Sequence, residues 1–303
     1  MKRRDFLTTT GSGAAYVGLG GLSLNSCKAL SAKQITILHT NDVHSHIDPF
    51  PADHAAFPNM GGLARRAALV EQIRLENPNT LLLDAGDIFQ GTPYFNFYGG
   101  ELEFKLMSKL KYDAATIGNH DFDNGIGGLL AQMPHAKFEM ISANYDFSNT
   151  VMDGFVKPYT TYLLNGIKIG VFGLGIALKG LVTKTLYKET RYLDPIEIAQ
   201  DMSRTLKEDL GCDLVICLSH LGYEYRNAQR PSDVILASKT ANIDLIIGGH
   251  THTFLDRPVI KRNSSNKEVL VNQVGCYGIN LGRIDFYFDS NKNMRSEGLS
   301  ISV

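Results

Sequence analysis

Five short polar segments, each closing an apolar run, distribute Asp, His and Asn along this chain. They are Asp42-Val43-His44, Gly86-Asp87, Gly118-Asn119-His120-Asp121, Ser219-His220 and Gly248-Gly249-His250-Thr251-His252. Every donor among them is an oxygen or an imidazole nitrogen, and no thiolate belongs to the set. That chemistry suits a divalent cation such as Zn or Mn in a hydrolytic site. The pattern constrains the fold as well, because apolar runs that each end on a functional residue are the signature of strands feeding one crevice.

The runs between the clusters support this. Ile35–Leu38, Leu81–Leu83, Ala114–Ile117, Ile167–Phe172, Leu214–Leu218 and Leu245–Ile247 read as strands. Helical spacing fills the intervals: Gly62 to Glu76, stopped by Asn77-Pro78, then Leu102 to Leu110, Pro195 to Leu210 and Ser232 to Lys239. After Gly248 the rhythm changes to strands without helices, Val269 to Val274 and Arg283 to Phe288, which predicts late antiparallel strands completing the sheet core. Alternating strands and helices make an α/β layered domain. In such open layers function gathers beyond the carboxyl ends of the strands. No internal repeat or linker divides the mature chain, so residues 34–303 are expected to form a single domain.

Residues 1–33 read as a targeting segment. Lys2-Arg3-Arg4-Asp5-Phe6-Leu7 followed by a mild Gly/Ala/Leu stretch from Gly11 to Leu24 fits twin-arginine export, and the stretch is short and Gly-rich for a membrane span. Leu24-Asn25-Ser26-Cys27 resembles a bacterial lipobox, in which Cys27 would be acylated and tie the protein to a membrane surface. Cleavage without lipid near Ser31-Ala32 is the alternative. The expected location is periplasmic, or membrane-anchored as a lipoprotein in a bacterium. Of the other cysteines, Cys217 reads as a buried structural thiol, and a single Cys212–Cys276 bridge stays open. With 30 Lys and Arg against 31 Asp and Glu, and no basic run beyond the N-terminus, nothing favours a nucleic-acid partner.

Asp42 and His44 stand on alternate positions after a strand, where one turn can bring both to one cation. Asp87 follows Gly86, which permits a sharp turn, and its carboxylate could bridge two cations. Asn119 adds a neutral oxygen, and His220, His250 and His252 add imidazoles. His120 suits a general acid, with Asp121 and Asp123 both close enough in sequence to orient its ring. Two cations would activate a water as the nucleophile. Asp84 reads as a turn former, His39 and His46 as structural, and His54 and His135 as solvated loop residues. Tyr94-Phe95-Asn96-Phe97-Tyr98 reads as core or lid packing, or else as an aromatic wall near Asp87.

The segments Leu38 to His46, Asp84 to Asp87, Gly118 to Asp123 and Gly248 to His252 resemble the calcineurin-like metallophosphoesterases, and within them the catalytic domain of the 5′-nucleotidase and UDP-sugar hydrolase family. The resemblance implies a four-layer α/β/β/α sandwich. It implies that Asp42, His44, Asp87 and His252 hold a first metal, and that Asp87, Asn119, His220 and His250 hold a second. It pairs His120 with Asp123 as a catalytic dyad and leaves Arg65 and Arg66 structural. Asn119 and His120 would also meet the substrate. The implied activity is hydrolysis of phosphate monoesters, nucleotides above all.

Enzymes of that family usually continue into a second domain that carries the phosphate and nucleobase contacts, and none of those contacts maps onto this chain. Alternatives therefore stand beside the nucleotidase reading. One is the catalytic subunit of a split enzyme completed by a separately encoded substrate-binding domain. Others are a cyclic-nucleotide or UDP-sugar diesterase and a sulfate-ester hydrolase. A non-catalytic binding role fits the retained donor set poorly.

Overall fold

The computed structural model describes residues 33–227 and 229–303. The expected export segment and Cys27 lie outside the described residues. Two six-stranded sheets form the centre of the molecule. In the first, the order is Met294–Ser302, Asn280–Phe288, Lys33–Thr40, Thr80–Asp84, Ala114–Ala115, Glu139–Met140. In the second it is Val259–Arg262, Glu268–Asn272, Leu245–Gly248, Leu214–Ser219, Ile167–Leu174, Tyr159–Leu164.

The inner strands are apolar without alternation because each is covered on both faces. Ile35, Ile37, Leu81, Leu83 and Ala114 of the first sheet meet Ile169, Val171, Ile216, Leu218 and Ile247 of the second in one buried layer. Behind the first sheet, Leu38, Leu82 and Ala115 pack against Val70 and Ile73 of the helix Leu63–Glu76, Phe104 and Met107 of Glu101–Lys109, and Ile126 and Leu129 of Gly125–Gln132. Behind the second, Phe172, Val215, Cys217 and Ile246 pack against Ala199 of Pro195–Arg204 and Leu236 and Ala237 of Asp233–Lys239. Helices on both outer faces make the α/β/β/α layering that the family resemblance implies.

Local signals explain the helix ends. Asp194 accepts the N–H groups of Ile196 and Glu197 at 2.8 and 3.1 Å, and Pro195 takes the first helical position, where its missing N–H costs nothing. That helix keeps α geometry only to Arg204; Thr205–Asp209 form a π turn, which seats Leu206 fully in the core. Asn77 closes the helix Leu63–Glu76, its N–H bonded to the Ile73 carbonyl.

Two expectations need correction. Asn280–Phe288 does pair antiparallel with Lys33–Thr40, and Met294–Ser302 antiparallel with it in turn. Glu268–Asn272, however, pairs parallel with Leu245–Gly248, because the excursion through Val259–Arg262 returns the chain in the original direction. Cys212 and Cys276 are free buried thiols, so they form no bridge.

Strands Lys33–Thr40, Thr80–Asp84 and Ala114–Ala115 run parallel, as do Leu214–Ser219 and Leu245–Gly248. The loops leaving their carboxyl ends carry all five polar clusters. No described helix is long and apolar enough to cross a membrane.

Candidate metal centre

Strand ends bring the clusters together, and strained backbone aims them. Asp42, His44, Asp87, His250 and His252 all adopt φ between 49° and 71°, in the left-handed region. Such conformations cost on the order of 1–3 kcal/mol each and persist where surrounding structure enforces them. Small residues make room: a Cβ on Gly118 would stand 2.2 Å from Asp87 Oδ1, and one on Gly249 would stand 2.8 Å from the His220 ring.

Two donor groups result. Asp42, His44 and His252 offer ligand atoms within 4.8 Å of one another, and so do Asp87, His220 and His250. Asp87 reaches both: its Oδ2 lies 3.9 Å from His44 Nε2 and 3.1 Å from His220 Nε2. Asn119 joins the second group through Oδ1, 2.8 Å from His250 Nδ1. The structure thus gathers all seven residues singled out as candidate ligands.

Backbone carbonyls set the ring orientations. His44 Nδ1 lies 3.2 Å from the Phe89 carbonyl and His220 Nδ1 2.7 Å from the Ala85 carbonyl. Each donation leaves Nε2 free to present a lone pair, the usual arrangement behind a metal-ligating imidazole. His44 Nε2 and His252 Nε2 face each other at 3.1 Å. His220 Nε2 is buried and makes no hydrogen bond, although Asp87 Oδ2 is 3.1 Å away, because the geometry is misaligned for one. Ring nitrogens that converge in this way, that of His220 without any hydrogen-bond partner, fit a cation held between them.

Charge points the same way. Asp42 and Asp87 are buried, and among the described residues only histidines lie within ion-pairing distance of them. Burial works against charging His220, yet the Asp87 and Asp42 carboxylates hold its pKa up at about 10. A hydrogen bond to Asp42 and the Cys276 thiol raise His252 to about 10. Burial opposes ionisation of Asp87, and His220, His44 and His120 together pull it well below the usual range. His250 is pushed down to about 4 by burial and by His220. Without metal, the protons of His220 and His252 supply the positive charge that the buried carboxylates demand.

His120 stands beside the second group. Its backbone N–H donates to Asp87 Oδ1 at 2.7 Å, and its Nδ1 lies 2.8 Å from Asp123 Oδ2. The hydrogen bond to Asp123 raises the imidazole pKa, with burial opposing. Asp121, the other carboxylate near in sequence, turns away from the ring. It accepts backbone N–H groups from Asp87, Ile88, Phe89 and Gly118 at 2.7–3.1 Å. Burial and the Asp87 charge push it up to about 7, against the pull of those donors.

The remaining sequence candidates fall outside the cluster. Asp84 accepts from Thr40 Oγ1 at 2.5 Å and from Gly86 N–H at 2.9 Å, so it shapes the turn before Asp87. His39 is buried against Asn272, and His46 Nδ1 bonds the His44 carbonyl at 2.9 Å. His54 is not a solvated loop residue, since its Nδ1 accepts the Phe57 N–H and its ring packs 4.4 Å from Phe50. His135 ends a 3-10 turn, Met133–His135. Arg66 is buried, and Arg65 bonds the Asn59 carbonyl. In the short helix Pro93–Tyr98, Phe95 packs on Phe89 while Phe97 and Tyr98 stay exposed.

Sequence reasoning missed the Ala85 and Phe89 carbonyls, which have no side-chain signal, and Asn41, whose Nδ2 donates to Asp42 Oδ2 at 2.7 Å. Asn41 directly precedes the first cluster, and its place next to Asp42 was the available clue.

The family model of calcineurin-like phosphoesterases matches residues 35–254. A snake venom 5′-nucleotidase from Crotalus adamanteus is 33% identical over 293 residues, covering 88% of this chain and 48% of that protein. A crystal structure of a 5′-nucleotidase precursor from Thermus thermophilus has a TM-score of 0.81 and 32% identity, over 89% of this chain and 55% of that one. The calcineurin-like phosphoesterase YfkN from Bacillus subtilis has a TM-score of 0.70 and 26% identity, over 89% of this chain and 91% of that one. The chain spans about half the length of the curated relatives it matches.

Proposed function

From the premise that this chain belongs to the calcineurin-like phosphoesterase family, we propose that it hydrolyses phosphate monoesters, nucleoside 5′-monophosphates among them, with two divalent cations. The observation that carries the reading is the sharing of Asp87 between two donor groups with the His120–Asp123 pair alongside. Asp42, His44, Asp87 and His252 would hold one cation, and Asp87, Asn119, His220 and His250 the other. Oxygen and imidazole donors accept Zn, Mn or similar ions. Bound there, the cations would activate a water nucleophile and neutralise charge on the phosphoryl group.

The chain's own residues would do the rest. Asp123 holds His120 Nδ1–H, which keeps the ring oriented and favours its protonated form. His120 would then deliver a proton from Nε2 to the departing ester oxygen, a contribution typically of about 10²–10⁴-fold. The Asn119 side-chain amide nitrogen would contact a phosphoryl oxygen, while its Oδ1 lies 2.8 Å from His250 Nδ1. The backbone N–H of His120 donates to Asp87 Oδ1 at 2.7 Å, which ties the turn that carries the proposed acid to the carboxylate that would bridge the cations.

The paired Arg3 and Arg4 with Phe6-Leu7 support export by the twin-arginine route, and Ser26-Cys27 supports a lipid anchor at Cys27. The test of the activity is phosphate release from 5′-AMP with Mn or Zn, abolished by chelator and restored by either ion. No release from AMP or from a broad panel of phosphate esters, with the protein metal-loaded, would sink the reading.

A further inference from the structure

Beside the donor group of Asp42, His44 and His252 lies an aromatic surface that the proposed chemistry does not use. Tyr277 is at its inner end, with its ring centroid 6.0 Å from His44 and 5.8 Å from His252. The ring leans on His46 at 4.3 Å, His46 on Phe50 at 5.0 Å, and Phe50 on Phe57 at 5.5 Å. Phe254, 6.1 Å from Phe57 and 46% exposed, ends the row. Tyr277, His46, Phe50 and Phe57 are themselves half-buried, so the row opens to solvent along its length.

The backbone holds Tyr277 there against its preference. Its φ is 61°, an outlier for a bulky side chain, and its N–H donates to the Asp42 carbonyl at 2.7 Å. The loop that presents the ring is therefore fastened to the segment that carries a candidate ligand. Core packing does not require this, since Tyr277 remains half-exposed.

We infer that Tyr277, backed by His46, is a stacking subsite for the planar heteroaromatic base of a nucleotide whose phosphate sits at the metal centre. The inference deepens the phosphomonoesterase reading and rests on it. Both Tyr277 and His120 flank His44, the latter at 5.3 Å between ring centroids, so one substrate can meet the proton donor and the aromatic ring together. An aromatic face discriminates by shape and polarisability rather than by hydrogen bonds, so it accepts purines and pyrimidines alike. A phosphate ester without a ring gains nothing from it.

The chain contains no tryptophan, so Tyr277→Trp introduces a single fluorescent reporter. In metal-free protein, adenosine is expected to quench that emission and ribose to leave it unchanged. With metal, Tyr277→Leu is expected to lower kcat/KM for 5′-AMP by about tenfold or more, chiefly through KM, and to leave ribose 5-phosphate within about twofold. Tyr277→Phe keeps the wild-type preference. An equal loss on both substrates, or no quenching by adenosine, overturns the subsite while the phosphatase reading stands. Absence of phosphate release from either substrate by wild-type enzyme overturns that reading instead, and the metal-free quenching measurement still decides the subsite.

Discussion

The Nδ1 atom of His120 stands 2.8 Å from Oδ2 of Asp123, one 3-10 turn further along the chain. This hydrogen bond is the largest influence on the imidazole and raises its pKa, while burial lowers it. A general acid works in its protonated form, so activity should fall on the alkaline side as His120 loses its proton. Asp123→Asn removes the raising contribution and should move that alkaline limb to lower pH. His120→Asn should reduce kcat by about 10²–10⁴-fold and leave the bound metal per chain unchanged. An alkaline limb that stays in place in Asp123→Asn would mean that another group donates the proton.

Asp121 shows why its neighbour two residues on takes the pairing role. Its two oxygens anchor four loop N–H groups, three of them consecutive from Asp87 to Phe89. Asp121→Ala would leave those buried donors without a partner, at about 1–3 kcal/mol for each group that water cannot reach. The expected result is a loss of at least about 3 kcal/mol in urea unfolding of the chelator-treated protein, together with weaker metal binding at Asp87. Asp123→Asn, on the surface side of His120, should unfold like wild type. Equal stabilities for Asp121→Ala and wild type would contradict the anchoring role.

The positions of the site residues were legible because buried strands read as unbroken apolar runs, and each run ended on a donor residue. Asp42, Asp87, His220 and His250 could be placed from that alone. The partner of His120 could not, since Asp121 and Asp123 both lie within three residues of it and only the direction of each carboxylate separates them. Strands Tyr159–Leu164 and Met294–Ser302 escaped notice because they are sheet edges with many exposed or polar positions. The helix Pro93–Tyr98 is too short for a period to register. The carbonyls that orient His44 and His220 belong to Phe89 and Ala85, whose side chains carry no trace of the task. Tyr277 was silent because the position of its ring depends on a backbone angle, φ 61°, that no sequence pattern signals.

Asp87 lies 3.9 Å from His44 of one donor group and 3.1 Å from His220 of the other, whereas Asp42, in the first group, comes no nearer than 4.0 Å to His220. Elemental analysis after dialysis against Mn or Zn should give two ions per wild-type chain, one in Asp42→Asn, and less than one in Asp87→Asn. Metal bound to the folded form alone also stabilises it, by about 2.7 kcal/mol at a hundredfold excess over Kd. Chelator should therefore lower the melting temperature of wild type and barely change that of Asp87→Asn. Full metal content in Asp87→Asn would show that the groups are filled independently.

Asp233 supplies a pH test at a buried carboxylate outside the two donor groups. Its side chain is buried, Oδ1 accepts from Ser219 Oγ at 2.6 Å, and Oδ2 has no hydrogen-bond partner. Burial raises its pKa to about 8, with the Ser219 bond opposing. The folded state thus binds a proton that the unfolded state, with an ordinary value near 3.9, has already released by neutral pH. Between those two values the native state holds the extra proton, so stability falls as pH rises, by at most about 1.4 kcal/mol per unit for one group. Above about pH 8 the full cost of a buried carboxylate is in place. Asp233→Asn keeps an acceptor for Ser219 and cannot ionise. Its melting temperature relative to wild type should therefore climb steadily from about pH 5 to about pH 8 and level off beyond. A difference independent of pH across that range would show that Asp233 is ionised in the folded protein throughout.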